Sequence, residues 1–211
     1  VAVLDRSAAA GDDLSSSTFF AIGMAVFFVF FTVEFGVRSL LDEREGGTLA
    51  RLLVAPLRRA WILGGKVFAG FVVGLVSMTA LVAATSAFIG ADWGEPAGVA
   101  SMVLAGVASA VAVTALVATL AKTSAQAAGY TSLVTVVLGL FGGTFFPISQ
   151  GPSFLSTLSL LTPQAWMMRG FQDLAGGATV ADILGPIVAL LVFTAVAGGI
   201  AVRRAKGLMA K

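Results

Sequence analysis

Residues 17–60 read STFFAIGMAVFFVFFTVEFGVRSLLDEREGGTLARLLVAPLRRA. The stretch joins two unlike halves. Residues 17–33 carry no charge and are rich in Phe, Val and Ala, and the apolar character continues to about Val37. That length suits one passage through the hydrocarbon of a bilayer, which takes roughly 20 residues as a helix. Residues 40–60 gather seven charged residues, Asp42, Glu43, Arg44, Glu45, Arg51, Arg58 and Arg59, beside two glycines and several leucines. A span followed by a compact charged segment sets the reading of the whole chain.

The composition agrees. The 211 residues are 58% hydrophobic and only 11% charged, with a mean hydropathy of +0.98. Too little polar material is present to coat a soluble core of that size. The absence of cysteine excludes a disulfide framework, a thiolate metal site and a cysteine nucleophile. The absence of histidine removes the commonest proton shuttle and metal ligand. A net charge of +2 does not point to nucleic acid, because the basic residues flank apolar runs. The start VAVLDRSAAAGDDLSSS, without an initiator methionine or a signal-peptide pattern, is expected to be the extracellular tail (residues 1–16) of a longer protein whose carboxy-terminal part this is.

Five spans are predicted, at about 17–37, 67–90, 98–121, 127–146 and 183–202. Gly94 and Pro96 break the chain after the second. Pro147 is expected to end the fourth, since its ring removes a backbone donor and disfavours helix before it. Residues 148–179 hold apolar pieces too short to span, interrupted by Pro152, Pro163, Gly176 and Gly177. They suit a re-entrant or interfacial hairpin at the outer leaflet. No internal repeat is visible.

Sidedness follows from the basic residues. With the amino terminus outside, Arg38, Arg44, Arg51, Arg58, Arg59, Lys66, Lys122, Arg203, Arg204, Lys206 and Lys211 are cytoplasmic, leaving only Arg6 and Arg169 outside. An even number of spans would spoil this partition.

The charged segment, 38–66, is then cytoplasmic. Gly46–Gly47 gives a flexible break, and the Thr48 hydroxyl can cap a following helix. Leu49, Leu52 and Leu53 fall on one face of that helix, and Pro56 stops it. The plainer reading is a surface-lying connector whose arginines meet anionic lipid headgroups. That explains Arg58 and Arg59 but not Asp42, Glu43 and Glu45, which an anionic leaflet repels. A protein partner that reads both charge and leucine explains all of them.

Three stretches carry a resemblance. DEREGGTLARLLVAPLRR (42–59) resembles the cytoplasmic loop of type-2 ATP-binding-cassette (ABC) exporter permeases. GLFGGTFFPIS (139–149) is similar to the end of that family's fifth helix, and LSLLTPQAWMMRGF (158–171) to its outer-leaflet hairpin. All three occur in the family's order. The family has six helices per subunit, so the chain is similar to a subunit lacking the first helix and most of the extracellular segment after it. Gly46 departs from the polar residue often found there.

The resemblance implies an all-α membrane protein of five transmembrane helices, a cytoplasmic amphipathic coupling helix and an outer re-entrant helical hairpin. It implies that Glu43, Arg44, Glu45, Gly47, Thr48, Leu49, Leu52, Leu53 and Pro56 dock a separate ATPase subunit, which holds ATP and Mg. This chain has no phosphate loop: at LGGKV (63–67), Val67 stands where Ser or Thr is required. A second permease subunit completes a dimer, and the first and fourth spans here line the path. Phe27, Phe31, Phe145, Phe146, Pro147, Pro163, Trp166 and Arg169 are its candidate path or outer-gate residues, suited to an amphipathic or apolar cargo.

Other features have plainer readings beside them. The small-xxx-small pairs Gly70–Gly74 and Gly139–Gly143 let helix backbones approach, by default within the subunit rather than across a dimer. Phe19, Phe20, Phe27, Phe28, Phe30 and Phe31 crowd the first span as lipid-facing bulk. Glu34 and Arg38, at i and i+4, are expected to form an interfacial pair; gating is the other role open to them. Trp166 reads first as an interfacial anchor, with a cation–π or lipid-headgroup contact by Arg169 as the less favoured alternative. An intramembrane enzyme is excluded by the lack of convergent nucleophiles, acids or metal ligands in the spans. An ATP-independent channel or carrier would show a polar pathway and often a repeat, and neither is visible.

Overall fold

The computed structural model describes residues 15–48, 59–147 and 153–209; all structure among them is helix or short connection. The helices are α1 Ser16–Glu45, α2 Arg59–Ile89, α3 Pro96–Ala118, α4 Ser124–Gly142, α5 Ser153–Ser159, α6 Pro163–Ala175 and α7 Leu184–Met209. Five of them, α1, α2, α3, α4 and α7, are long and apolar enough to cross a membrane.

Their ends follow local chemistry. Ser15 precedes α1 and accepts from the Thr18 amide at 3.2 Å, satisfying one of the orphan donors of a first turn. α1 then runs past Val37 to Glu45 and stops at Gly46–Gly47, where Gly47 takes φ +70°. The second helix begins at Arg59, before the expected Val67: Gly64 and Gly65 do not break it. α4 starts on the Thr123 side-chain cap and ends at Gly143 in the left-handed region. Glycine at that position ends a helix without the steric cost of a Cβ. The fourth helix therefore ends before the expected Phe146, and Pro147 lies beyond its terminus.

α1 and α3 form the centre. α1 touches α2, α3, α4 and α6; α3 touches all of these and α7. The core between them holds Ile22, Val26, Phe30, Val33, Met102 and Val107, closed by Met167, Phe171 and Leu174 of α6. The outer helices α2 and α7 expose Val72, Val73, Val76, Val188, Leu191, Val192 and Val196. So continuous an apolar surface suits lipid and not water.

Helix alternation brings the end of α1, the start of α2, the α3–α4 connection and the end of α7 to one end of the bundle. With them come Arg38, Lys66, Lys122, Arg203 and Arg204. This is called the basic end below, and the other the acidic end, with Asp92, Glu95, Asp173 and Asp182.

The mixed segment 153–175 forms two short helices. α6 is sunk between α1, α3, α4 and α7. Gly98 of α3 faces Leu174, and Gly106 faces Met167. α6 therefore runs antiparallel to the first half of α3 and enters the bundle by about 12 Å, at 1.5 Å per residue. Its buried start is capped: Thr162 Oγ1 accepts from the Ala165 amide at 3.3 Å, with Pro163 at the first helical position. A helix end within lipid depth needs such partners, because no water is there to supply them.

Candidate functional site

Three regions hold most of the residues singled out by sequence. At the basic end, α1 leaves the main core after Val33 and continues as a charged extension. Glu34 and Arg38 approach to 3.6 Å and Arg38 and Asp42 to 3.9 Å, each at i and i+4. Glu34 is only 8% exposed, so it faces the bundle, and the i, i+4 pairing with Arg38 expected from sequence is formed. Glu43 pairs with Lys66 of α2 at 2.8 Å, and Lys66 also donates to Ser39 Oγ at 3.1 Å. Glu45 Oε1 accepts from the Ser124 amide at 2.7 Å. The Ser124 hydroxyl donates to Asp42 Oδ1. Leu41, Ala121 and Ala127 close a small apolar cluster behind these bonds.

The acids of the charged segment are thus engaged within the subunit, binding α1 to the starts of α2 and α4. Thr48 Oγ1 donates back to the Glu43 carbonyl at 3.2 Å, and Gly47 makes the turn between them. Leu49, Leu52, Leu53 and Pro56 lie outside the described residues, as does the side chain of Arg44. Sequence reasoning missed Ser124, which lies 79 residues from Glu45; only the capping run Thr123–Ser124 beside Lys122 marked the place.

The second region is aromatic. Phe27 meets Phe31 at 5.4 Å and Phe145 at 4.9 Å between ring centroids, both edge-on, the geometry that the ring quadrupoles favour. Phe20, Phe28, Phe35, Phe145 and Phe146 are exposed, and Phe27 and Phe31 half-buried. They form one stripe along α1, continued by the connection after α4. Pro147 follows, half-buried. Phe30 leaves the stripe for the core, and Phe19 is partly buried against it, so the six phenylalanines of the first span do not share one lipid-facing role.

At the acidic end, Pro163, Trp166 and Arg169 all belong to α6. Trp166 Nε1 donates to the Leu160 carbonyl at 2.9 Å. The Arg169 guanidinium lies 5.1 Å from the Trp166 ring centroid and donates from Nη2 to Ser159 Oγ at 2.9 Å. Arg169 is 7% exposed: the pair is turned into the bundle and forms the cation–π contact that sequence ranked second. Burial lowers the Arg169 pKa, opposed by the charge of Asp173 one turn on. Burial likewise raises the Asp173 carboxyl, opposed by Arg169 and reinforced by Asp182. Gln164, fully buried, reaches toward the Thr135 carbonyl at 3.5 Å.

The glycines mark close approaches. A Cβ on Gly36 would strike the backbone of Gly70, and one on Gly74 would meet Val33 and Val107 side chains at 2.6 and 2.7 Å. Gly139 faces Phe27 and Thr144, while Gly143 serves as the α4 cap. All of these neighbours lie within the subunit. A groove of about 580 Å³ runs between α2 and α3, lined by Leu75, Val82, Val99 and Val103, with Asp92 and Trp93 at its acidic end. Among the described residues no three His, Cys, Asp or Glu side chains group to hold a metal ion.

Comparison with known proteins places this architecture. The linearmycin resistance permease protein LnrN of Bacillus subtilis (strain 168) is 31% identical over 187 residues, covering 88% of this chain and 49% of that protein. The chain therefore spans about half the length of the curated relative it matches. No solved structure matches it. The family described as ABC-2 family transporter protein matches residues 5–203. That match takes in α1 to α6, the charged extension and most of α7, and the chain belongs to the ABC-2 family of transporter proteins.

Proposed function

We propose that this chain is the permease subunit of an ABC exporter. It works as a dimer and moves a hydrophobic or amphipathic, drug-like or lipid-like substrate outward. ATP and Mg bind to a separate ATPase subunit that docks at the loop after Gly47. The basic end faces the cytoplasm, so the side on which α1 starts is outside the plasma membrane.

One observation carries the reading. α1 is an inner helix whose remaining free face is a phenylalanine stripe, whereas the mid-helix surfaces of α2 and α7 are mainly aliphatic. An inner helix that leaves an aromatic face open suits a second copy or a cargo more than bulk lipid, since aromatic side chains concentrate where recognition occurs. The same helix leads directly into the charged extension, so one element joins the cargo face to the loop. The resistance function in the name of the similar Bacillus protein supports an outward direction and a noxious cargo.

By this reading ATP closes the ATPase pair, the loop is displaced, and the two stripes change their separation. The test is affinity purification of the tagged full-length protein from mild detergent, with partners identified by mass spectrometry, beside Leu52→Asp in the loop. Recovery of an ABC ATPase with the parent and not with L52D supports the docking site. Recovery with both moves that site elsewhere. No ATPase even after crosslinking turns the reading to an ATP-independent channel or carrier.

A further inference from the structure

The carboxylates of the charged segment bond to partners within the subunit, Asp42 and Glu45 while remaining exposed to solvent on one side. We propose that Asp42 and Glu45 form a clasp on the first turn of α4, and that this clasp carries displacement of the loop to α4. It rests on the function proposed above and deepens it by naming how the loop moves a helix that it does not adjoin in sequence.

Three observations support the clasp. Glu45 accepts from the Ser124 backbone amide at 2.7 Å, and Asp42 from the Ser124 hydroxyl, so two carboxylates one turn apart grip a single residue. That residue opens α4, where unpaired amides and the helix dipole both favour negative charge. The grip is backed by the Leu41–Ala121–Ala127 cluster, which leaves α1 and the α3–α4 connection no freedom to separate without exposing apolar surface. On the other flank Glu43 and Ser39 hold Lys66 of α2. The clasp sits at the last turn of α1, immediately before Gly46 and Gly47. A push on the loop therefore meets the clasp before any span, and α1, the start of α2 and the start of α4 move together.

The experiment uses the full permease–ATPase complex with D42N/E45Q, which keeps side-chain size and removes both charges, and S124A, which alters the grip from the α4 side. ATPase recovery and ATP hydrolysis are expected to hold in both, while transport falls about tenfold in D42N/E45Q and less in S124A, a coupling loss of ordinary size. Unchanged transport in D42N/E45Q overturns the clasp. So does loss of the ATPase from that variant, which would make these acids docking contacts.

Absence of the ATPase from the parent overturns the proposed function itself and is distinguishable from both. Should D42N/E45Q fail to insert, spin labels decide. This chain has no cysteine, so Thr48→Cys, Gln126→Cys and Arg203→Cys can be labelled in pairs. With and without a non-hydrolysable ATP analogue, the 48–126 distance is expected to stay fixed while 48–203 and 126–203 change together. A change in 48–126 as large as in the other two overturns the proposal.

Discussion

Glu43→Gln and Lys66→Met, alone and combined, test whether the acids at the end of α1 serve the subunit's own fold. The Lys66 Nζ to Glu43 Oε1 distance is 2.8 Å, and the side chains keep 15% and 31% of their exposure. A fully exposed pair contributes 0.2–1 kcal/mol, whereas a hydrogen bond to a charged group that is well sheltered contributes about 1.5–3 kcal/mol. This pair lies between those cases, so a coupling of about 1 kcal/mol is expected after screening by solvent. Lys66→Met is the costlier single change, because it leaves a half-buried carboxylate without its cation. Glu43→Gln costs less, since Lys66 retains Ser39 at 3.1 Å. The double variant is expected to be less damaged than the sum of the two.

The assay is reversible unfolding in mixed detergent micelles, followed by circular dichroism and read as a double-mutant cycle. A coupling below about 0.3 kcal/mol, the usual error of additivity, would refute the reasoning and free Glu43 to face a partner. The outcome also governs how a Glu43→Arg variant is read. If the coupling is present, placing an arginine beside Lys66 disturbs the α1–α2 joint as well as any docking surface, and a loss of transport in that variant alone does not locate the ATPase.

Gly36→Val is expected to lower the yield of folded protein severely, because its side chain meets Gly70 backbone rather than a movable side chain. Gly129→Ala, with nothing within 4 Å of the new Cβ, is expected to raise stability by about 0.5 kcal/mol in the same micelle assay. Thr162→Val keeps shape but removes the hydroxyl that accepts from Ala165 and donates to the Ser159 carbonyl; a loss of about 2 kcal/mol is expected. Asp173 sets a pH dependence: its folded pKa is raised by burial, so the folded state takes up the proton first. Stability contributed at this site is expected to rise as pH falls through the raised value toward about 4. Asp173→Asn should flatten that part of the profile of melting temperature against pH.

The spans were legible because each is an apolar run of bilayer length, and lipid permits little but helix there. What the runs could not show was which helices are inner. α1, α2, α3 and α7 are about equally apolar; only the contacts, such as Gly23 against the Thr144 carbonyl and Gly106 against Met167, show that α1 and α3 are inside. α6 was legible as an interruption and not as a buried element, since its polar residues, Gln164, Arg169 and Gln172, read as surface until their partners are seen. The charged segment was legible as a place of interaction. Its acids spoke for a partner in sequence, and Asp42, Glu43 and Glu45 found partners in Ser124 and Lys66 of the same chain.

α1 is pinned near both ends by contacts that admit no extra atom: Gly23 lies against the Thr144 backbone and Gly36 against Gly70. Between them Val33 and Gly74 interlock. A helix held this way cannot slide along α2 or past the end of α4 without breaking several backbone-level contacts at once, since a core this close-packed has discrete arrangements instead of continuous ones. α7, by contrast, packs mainly on α3 and α6, and a Cβ added at Gly198 would still find ordinary room, 3.7 Å from the Ala112 Cβ. A force delivered at Gly47 is therefore expected to tilt α1, α2 and α4 as one body, carrying the phenylalanine stripe with it. The label pair 126–203 then changes while 48–126 does not. Equal changes in every pair would mean that α1 bends at its charged extension, and that the glycine contacts do not bind the three helices together.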